Sequence, residues 1–312
     1  MSGLLNKREL LFAGVGLGAM SAAGAALAQA SPAAAKAPGV INPPRRRVPV
    51  PVPVQQAKTN LMWQVPKGAL GLVGAPNAIA LDERGRGLWY GEENGPLGDR
   101  ENCPAVLVDF NGKEIKRLHT PSFNVSGMAQ GGGYIWIGHK LGFYQVDIDT
   151  NEITHRDHPL TPPGNPSGNT HGMAWDDDNK KLWLADPQLG VLFRIDPKTF
   201  APDRAIKIDT AYFARTHGIG YRDGFLYQAA WRDNTPGVES TRYDMGLGGI
   251  IKYNIDTGLP VLYIAFGPNS IDPHAVAVDK AGKIYICDAG LHPGIPERTP
   301  PYSGYVGTVT LL

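Results

Sequence analysis

Cysteine is scarce in this chain: Cys103 and Cys287 are the only two, and neither belongs to a C-x-x-C or C-x-x-C-H motif. That excludes heme attachment and dithiol redox motifs. Charge of one sign is also lacking. The 30 Lys+Arg stand against 29 Asp+Glu for a net of +1, which offers no electrostatic footprint for nucleic acid and no polybasic patch for a membrane. G-x-S-x-G and a P-loop are missing, which speaks against serine-hydrolase and nucleotide chemistry. Beyond the first thirty residues there is almost no helix candidate. What is abundant is turn chemistry, with 39 Gly and 27 Pro in 312 residues, enough chain for one large turn-rich unit with a sizeable core.

Lys7 and Arg8 precede an apolar stretch from Leu10 to about Leu27, and Ala28-Gln29-Ala30 offers the small-x-small site of a signal peptidase. Residues 1–30 therefore read as an export signal, leaving a periplasmic or secreted protein that starts at Ser31. Gly and Ala dilute the run below a good spanning helix, so no membrane association is expected after cleavage. Asn6 to Leu11 also resembles a twin-arginine export signal, with Lys7 in place of the first arginine. Residues 31–57 are Ala/Pro-rich, then carry Arg45-Arg46-Arg47 and alternating Pro49, Pro51 and Pro53. Such a stretch is expected to run as an extended polyproline linker.

Residues 58–312 hold five units that open on Ala78-Ile79, Gly127-Met128, Gly172-Met173, Gly218-Ile219 and Ala275-Val276, spaced 49, 45, 46 and 57 residues apart. Each leads through a turn to a second strand with an aromatic: Trp89, Trp136, Trp183, Tyr227 and Tyr285. This period and alternation predict an all-β protein, a β-propeller of five four-stranded blades, with a sixth left open by the long fourth interval. Asp176 to Asn179 and Asp279 to Gly282 are expected to supply the left-handed turn conformations. The last unit ends after its third strand, and Asn60 to Val65 can supply the fourth, so the N-terminal strand is expected to close the ring. Cys103 and Cys287 then fall in neighbouring blades. In an exported protein they can form a disulfide, or stay buried as small hydrophobes.

The residues just ahead of the five inner strands are Asn77, Ser126, His171, His217 and His274. Equivalent slots in a closed ring point the same way, so three imidazoles from consecutive blades should converge on the axis. Three neutral imidazoles at about 2.0–2.2 Å from one ion leave positions for water and substrate, the arrangement of a catalytic metal site. A divalent ion is therefore expected on His171, His217 and His274, with His139 as a further ligand or substrate contact. The identity of the ion, zinc, iron, manganese or calcium, is left open. A metal-free site with one histidine as base is the alternative, as is a polar channel lining without a site. The ends of the second strands give a second ring of Glu92, Glu93, His139, Asp186 and Asp288, candidates for ligand, imidazole orienter or general base. Asp186 and Asp288 also read as ordinary strand exits. Arg215, Trp231, Arg232, Arg242 and Tyr243 cluster near the fourth blade, where an arginine can fork a substrate carboxylate and a tyrosine can serve as acid. The loop from Asp233 to Gly246 is long enough for a lid over the mouth.

The phrases His171-Gly172-Met173-Ala174-Trp175, Leu182-Trp183-Leu184-Ala185-Asp186 and Pro273 to Asp279 resemble blades of the gluconolactonase and senescence marker protein group, of virginiamycin B lyase and of NHL-repeat proteins. The resemblance covers residues 60–312 and implies the fold more than the chemistry. Gluconolactonase relatives hold a divalent metal on the axis with Glu, Asn and Asp ligands, and the histidine-rich axial set of this chain departs from theirs. Virginiamycin B lyase and some polysaccharide-lyase propellers place histidines at the axial mouth. The expected activities are accordingly metal-dependent hydrolysis of a small lactone or ester, metal-dependent elimination, and iron-dependent oxygenation. A noncatalytic ligand-binding propeller is the expectation from a different class.

Overall fold

The computed structural model describes residues 52–66, 76–92, 103–121, 124–139, 142–161, 169–208, 215–231, 248–266, 272–289 and 302–312. Among them every regular element is a β-strand. The chain opens with β1 (Val54–Pro66). Then β2 (Pro76–Leu81), β3 (Leu88–Glu92), β4 (Pro104–Val108) and β5 (Glu114–His119) form an antiparallel meander, the first blade. The second blade is β6 (Gly127–Gly131), β7 (Tyr134–His139), β8 (Gly142–Asp147) and β9 (Ile153–Asp157). The third is β10 (Gly172–Asp176), β11 (Lys181–Asp186), β12 (Val191–Ile195) and β13 (Pro202–Lys207). The fourth is β14 (Arg215–Arg222), β15 (Phe225–Trp231), β16 (Gly248–Asn254) and β17 (Pro260–Phe266). The fifth takes β18 (Pro273–Val278), β19 (Ile284–Asp288) and β20 (Tyr302–Leu311), with β1 as its outer strand. Inner strands β2, β6, β10, β14 and β18 pack side by side in that order, and β18 returns to β2. That closed cycle is a β-propeller. Between Gly218 and Ala275 the described residues hold no strand beyond those of the fourth blade.

Ring closure goes further than the sequence implied. As expected, β1 pairs antiparallel with β20, from Ala57 to Pro66. Its first residues, Val54–Ala57, also run parallel to Tyr263–Phe266 of β17. One strand thus bridges the fourth and fifth blades and joins them into a single eight-stranded sheet. β1 begins inside the stretch read as linker, and Val52 just before it is buried. The alternating prolines do not prevent this: the Pro53 carbonyl accepts from the Tyr263 N–H at 2.9 Å, and a proline ahead of the first ladder residue sacrifices no strand hydrogen bond. The signal segment and linker residues 31–51 lie outside the described residues.

The second-strand aromatics are the core. Trp89, Trp136 and Trp183 are fully buried, and Tyr227 and Tyr285 are buried in the equivalent places. Each buried indole N–H finds an acceptor, on Gln130, the Gly131 carbonyl and Asp176 respectively, as desolvation of a donor demands. The hairpin turns are built on aspartates. Asp279 Oδ1 accepts from the N–H of Ala281 and Lys283 while Gly282 takes φ 81°. In the Asp176 turn the left-handed residue is Lys180, at φ 53°, one beyond the expected segment.

Directly behind the axial slots the ring narrows to a waist of Ala78, Gly127, Gly172, Gly218 and Ala275. A Cβ on Gly127 would stand 2.8 Å from the Gly172 Cα, one on Gly172 would stand 2.7 Å from the Gly218 Cα, and one on Gly218 would stand 2.8 Å from the Ala275 Cα. The inner strands touch backbone to backbone here, which at Gly127, Gly172 and Gly218 only glycine permits. Side chains one residue toward the mouth are forced together in front of this waist.

Candidate active site at the axial mouth

The waist sets the positions of His171, His217 and His274, one residue ahead of Gly172, Gly218 and Ala275. Their rings converge as the slot pattern predicts. The centroids of His171 and His217 are 3.9 Å apart, those of His217 and His274 4.1 Å, and those of His171 and His274 6.1 Å. Trp231, at the end of β15, packs edge-on to His217 at 4.0 Å and parallel to His274 at 5.5 Å, forming an apolar wall. The other two slots are polar and tied to neighbouring blades. Asn77 donates to Asn124 Oδ1 at 3.0 Å, and Ser126 Oγ donates to the Thr170 carbonyl at 2.6 Å.

His274 has a carboxylate partner that sequence reading missed. Asp272 Oδ1 stands 3.0 Å from His274 Nδ1, with both side chains almost wholly buried. The hydrogen bond at this nitrogen is to the Asp272 carbonyl, 3.3 Å away, and the carboxylate stands beside it at ion-pair distance. Both neighbours are acceptors, so Nδ1 carries the proton and Nε2 keeps its lone pair. Asp272 is in turn placed by Asp288, whose Oδ2 accepts from the Asp272 N–H at 3.2 Å. Asp186 does the same in the third blade: Oδ2 accepts from the Asn169 N–H at 2.9 Å, and Oδ1 accepts from the Leu189 N–H at 2.8 Å. His158 Nε2 stands 3.0 Å from Asp186 Oδ2. The Leu160 N–H donates to His158 Nδ1, so the ring proton is on Nε2, at ion-pair distance from the carboxylate. The two strand-exit aspartates thus anchor the lead-in segments of His171 and His274. They are positioning residues.

The orientation of the imidazoles decides whether they fit a divalent ion. The donor set is that of a zinc, iron or manganese site, and a buried carboxylate behind one imidazole is the usual orienting partner. Ring orientation does not match. Imidazoles at about 2.0–2.1 Å from one ion have centroids roughly 4.5–5 Å apart and lone pairs aimed at one point. His171 and His217 lie closer and are stacked with 16° between planes, so their in-plane lone pairs lie in separate, nearly parallel planes and cannot meet at one point. Among the described residues no group of three or more His, Cys, Asp or Glu has the arrangement of a metal site. As these rings stand they do not fit the ion.

The remaining candidates lie elsewhere. Glu92 is fully buried, with neither carboxyl oxygen hydrogen-bonded among the described residues. Burial pushes its carboxyl up to about 8, only partly offset by Arg117. No described contact joins it to the imidazoles. His139 is stacked on Tyr144 at 4.8 Å and lies 5.1 Å from His155, facing the third and fourth strands of its own blade. Burial, with His155 beside it, holds this imidazole down at about 4. Glu93, Arg232, Arg242, Tyr243 and the loop 233–246 lie outside the described residues, as does the side chain of Arg215. Cys103 and Cys287 are both buried and free. Burial pushes the Cys103 thiol up to about 12 and the Cys287 thiol higher still.

Glu92 and His139 make opposite contributions to stability. The folded value of Glu92 lies above its unfolded one, so the native state holds an extra proton between about 4.5 and 8. Stability therefore falls as pH rises through that window, by at most about 1.4 kcal/mol per pH unit. His139 has its folded value below the unfolded one, so stability falls as pH drops from about 6.5 toward 4. Of these two groups, Glu92 is the one that acts above pH 6.5. Urea midpoints measured from pH 6.5 to 8 should fall in the wild type and stay nearly level in Glu92→Gln. Equal slopes in the two proteins would contradict this assignment.

No family model matches the chain, and no curated protein matches it. Among solved structures it is similar to a calcium-binding protein, regucalcin, from Agrobacterium tumefaciens, at 12% identity over 82% of this chain and 95% of that one, with a TM-score of 0.49. Luciferin-regenerating enzyme matches at 13% identity over 80% and 95%, TM-score 0.45. Hydrazine synthase of Kuenenia stuttgartiensis matches at 14% over 77% of this chain and 66% of its own, TM-score 0.46. Matches this distant carry nothing about chemistry. The propeller assignment rests on the strand pairing and the closed cycle of inner strands described above.

Proposed function

We propose that the axial mouth is the active centre of an exported enzyme that hydrolyses an ester or lactone bond of a small organic substrate, with His274 as general base. The buried Asp272–His274 pair, 3.0 Å apart among two further imidazoles, is the observation that carries this reading. A water hydrogen-bonded to Nε2 gives up its proton as its oxygen attacks the carbonyl carbon. The acyl C–O bond then breaks, and the departing alkoxide takes that proton back from His274, leaving acid and alcohol. Asp272 holds the ring in the Nδ1–H tautomer and stabilises the imidazolium that forms in between. His217 and His171, each with one N–H when neutral, are donors for the developing oxyanion. Trp231 excludes water from one side, which strengthens these interactions.

The test is a panel of activated esters and lactones followed by acid release, with wild type, His274→Ala, Asp272→Asn and His139→Ala. His274→Ala is expected to lose on the order of 10²–10⁴ in kcat/KM, the usual worth of a positioned general base. Asp272→Asn should lose a comparable amount, and His139→Ala little. Undiminished hydrolysis by His274→Ala would sink the reading. So would an unsaturated product, or a rate abolished by chelator and restored by a divalent ion.

A further inference from the structure

A second, separate cavity opens on the opposite side of the waist from the histidines. Its volume is about 730 Å³, within the range of sites for drug-sized ligands. The floor is the apolar layer next to the waist, Ile79, Met128, Met173, Ile219 and Val276. The following layer is small, with Ala80, Ala129, Ala174, Gly220 and Ala277, and this makes the interior wide. Phe110, Trp175, Tyr221 and Tyr285 supply aromatic walls. None of the three axial histidines and none of the five waist residues lines it.

Its charged lining is mostly acidic, six carboxylates against Arg84, Arg222 and Lys280. Asp82 is neutralised by Arg86, Arg222 by Asp223, and Arg84 by Asp149 outside the cavity. Glu83, Asp177, Asp178 and Asp279 remain at the rim, against Lys280. Asp178 accepts from the Tyr221 hydroxyl at 2.6 Å, and Asp279 is held by backbone N–H groups. Glu83 and Asp177 have no such partner among the described residues. They come from the first and third blades, with the second between them. Burial first, and then the Asp177 and Asp82 charges, raise the Glu83 carboxyl, with Lys180 and Arg84 offsetting only part of this. Gln130 gives an independent pointer to a ligand. It is over nine-tenths buried, its Oε1 is occupied by Trp89 Nε1 and the Glu83 N–H, and its amide nitrogen has no partner among the described residues. That nitrogen belongs to a side chain lining the cavity and offers donors to an acceptor inside it.

We propose that this lower cavity is a binding site for an organic cation with an apolar body, an amine or quaternary ammonium whose head sits at the rim between Glu83 and Asp177. A cation there relieves the carboxylate repulsion and meets the faces of the aromatic walls. The body fills the apolar floor, where a carbonyl or ether oxygen can accept from Gln130. An anion meets the excess of carboxylates, and a neutral body leaves that excess in place. The site is distinct from the histidine mouth and does not depend on the reaction proposed there.

Benzyltrimethylammonium and its uncharged carbon isostere neopentylbenzene make the test, by calorimetry or ligand-observed NMR on the full-length protein. The cation should bind saturably, at least about tenfold tighter than the isostere, more weakly as salt rises. The double variant Glu83→Gln/Asp177→Asn changes two exposed side chains and should lose about tenfold in cation binding while isostere binding is unchanged. Phe110→Ala, also at the rim, should weaken the cation several-fold, and His171→Ala at the opposite mouth should leave it unaltered. No saturable binding, equal binding of the two probes, or indifference to the charge variant would overturn the proposal.

Discussion

A chain that starts after Pro66, and so lacks β1, is expected to fail to reach the native state. Four residues of β1 pair with β17 and nine with β20, and Trp63 packs on Tyr90 of the first blade at 5.3 Å. Each ladder hydrogen bond contributes a net of about 0.5–1.5 kcal/mol, so the total lost is comparable to the roughly 5–15 kcal/mol that hold a domain folded. Two raw sheet edges are left as well, on β17 and β20, and exposed edges aggregate. A chain starting at Lys58 keeps the β20 ladder except its Ala57–Leu311 end, and loses the bridge to β17 together with buried Val52 and Ala57. It should fold with a lowered urea midpoint. Circular dichroism and gel filtration separate these outcomes, and a shortened chain that is fully folded and monomeric would show that β1 is dispensable.

The second large effect is at the waist. In Gly172→Ala the new Cβ meets backbone atoms of Gly218, Ile219 and His217 at 2.7–3.0 Å, and backbone cannot turn aside as a side chain can. Overpacking a core usually costs about 1–3 kcal/mol, and this site belongs at or beyond the upper end. Gly190→Ala separates packing from conformation: φ is 70° there but nothing lies within 4 Å of the new Cβ, so its cost is limited to about 1–2 kcal/mol of left-handed strain. Chemical denaturation should rank Gly172→Ala well below Gly190→Ala in stability. The reverse order would mean that the inner strands stand further apart than described.

Much of this architecture can be read in the residues because a propeller repeats one local solution. The Ala or Gly that opens each inner strand and the Trp or Tyr on each second strand recur for packing reasons that do not change from blade to blade. The same repetition places His171, His217 and His274 in one slot, and their convergence follows. What escaped was whatever is not repeated. Asp272 sits before Pro273 and reads as a turn, yet its carboxylate is the partner of His274. His158 ends an outer strand, with no local signal that it meets Asp186. The bridge from Val54–Ala57 to β17 is hidden by a proline alternation that reads as polyproline helix. Ring planes are set by packing against Trp231 and against each other, which is why the stacked His171–His217 pair could not be anticipated from spacing.

The most direct test of the axial site is the pH dependence of kcat/KM on the best ester or lactone, measured with chelator present for wild type and Asp272→Asn. The rate is expected to rise as one group loses its proton, to survive the chelator, and to drop across the profile when the Asp272 carboxylate is replaced. An Asp272→Asn protein with the wild-type profile, or a wild type that the chelator silences and a divalent ion revives, would contradict it.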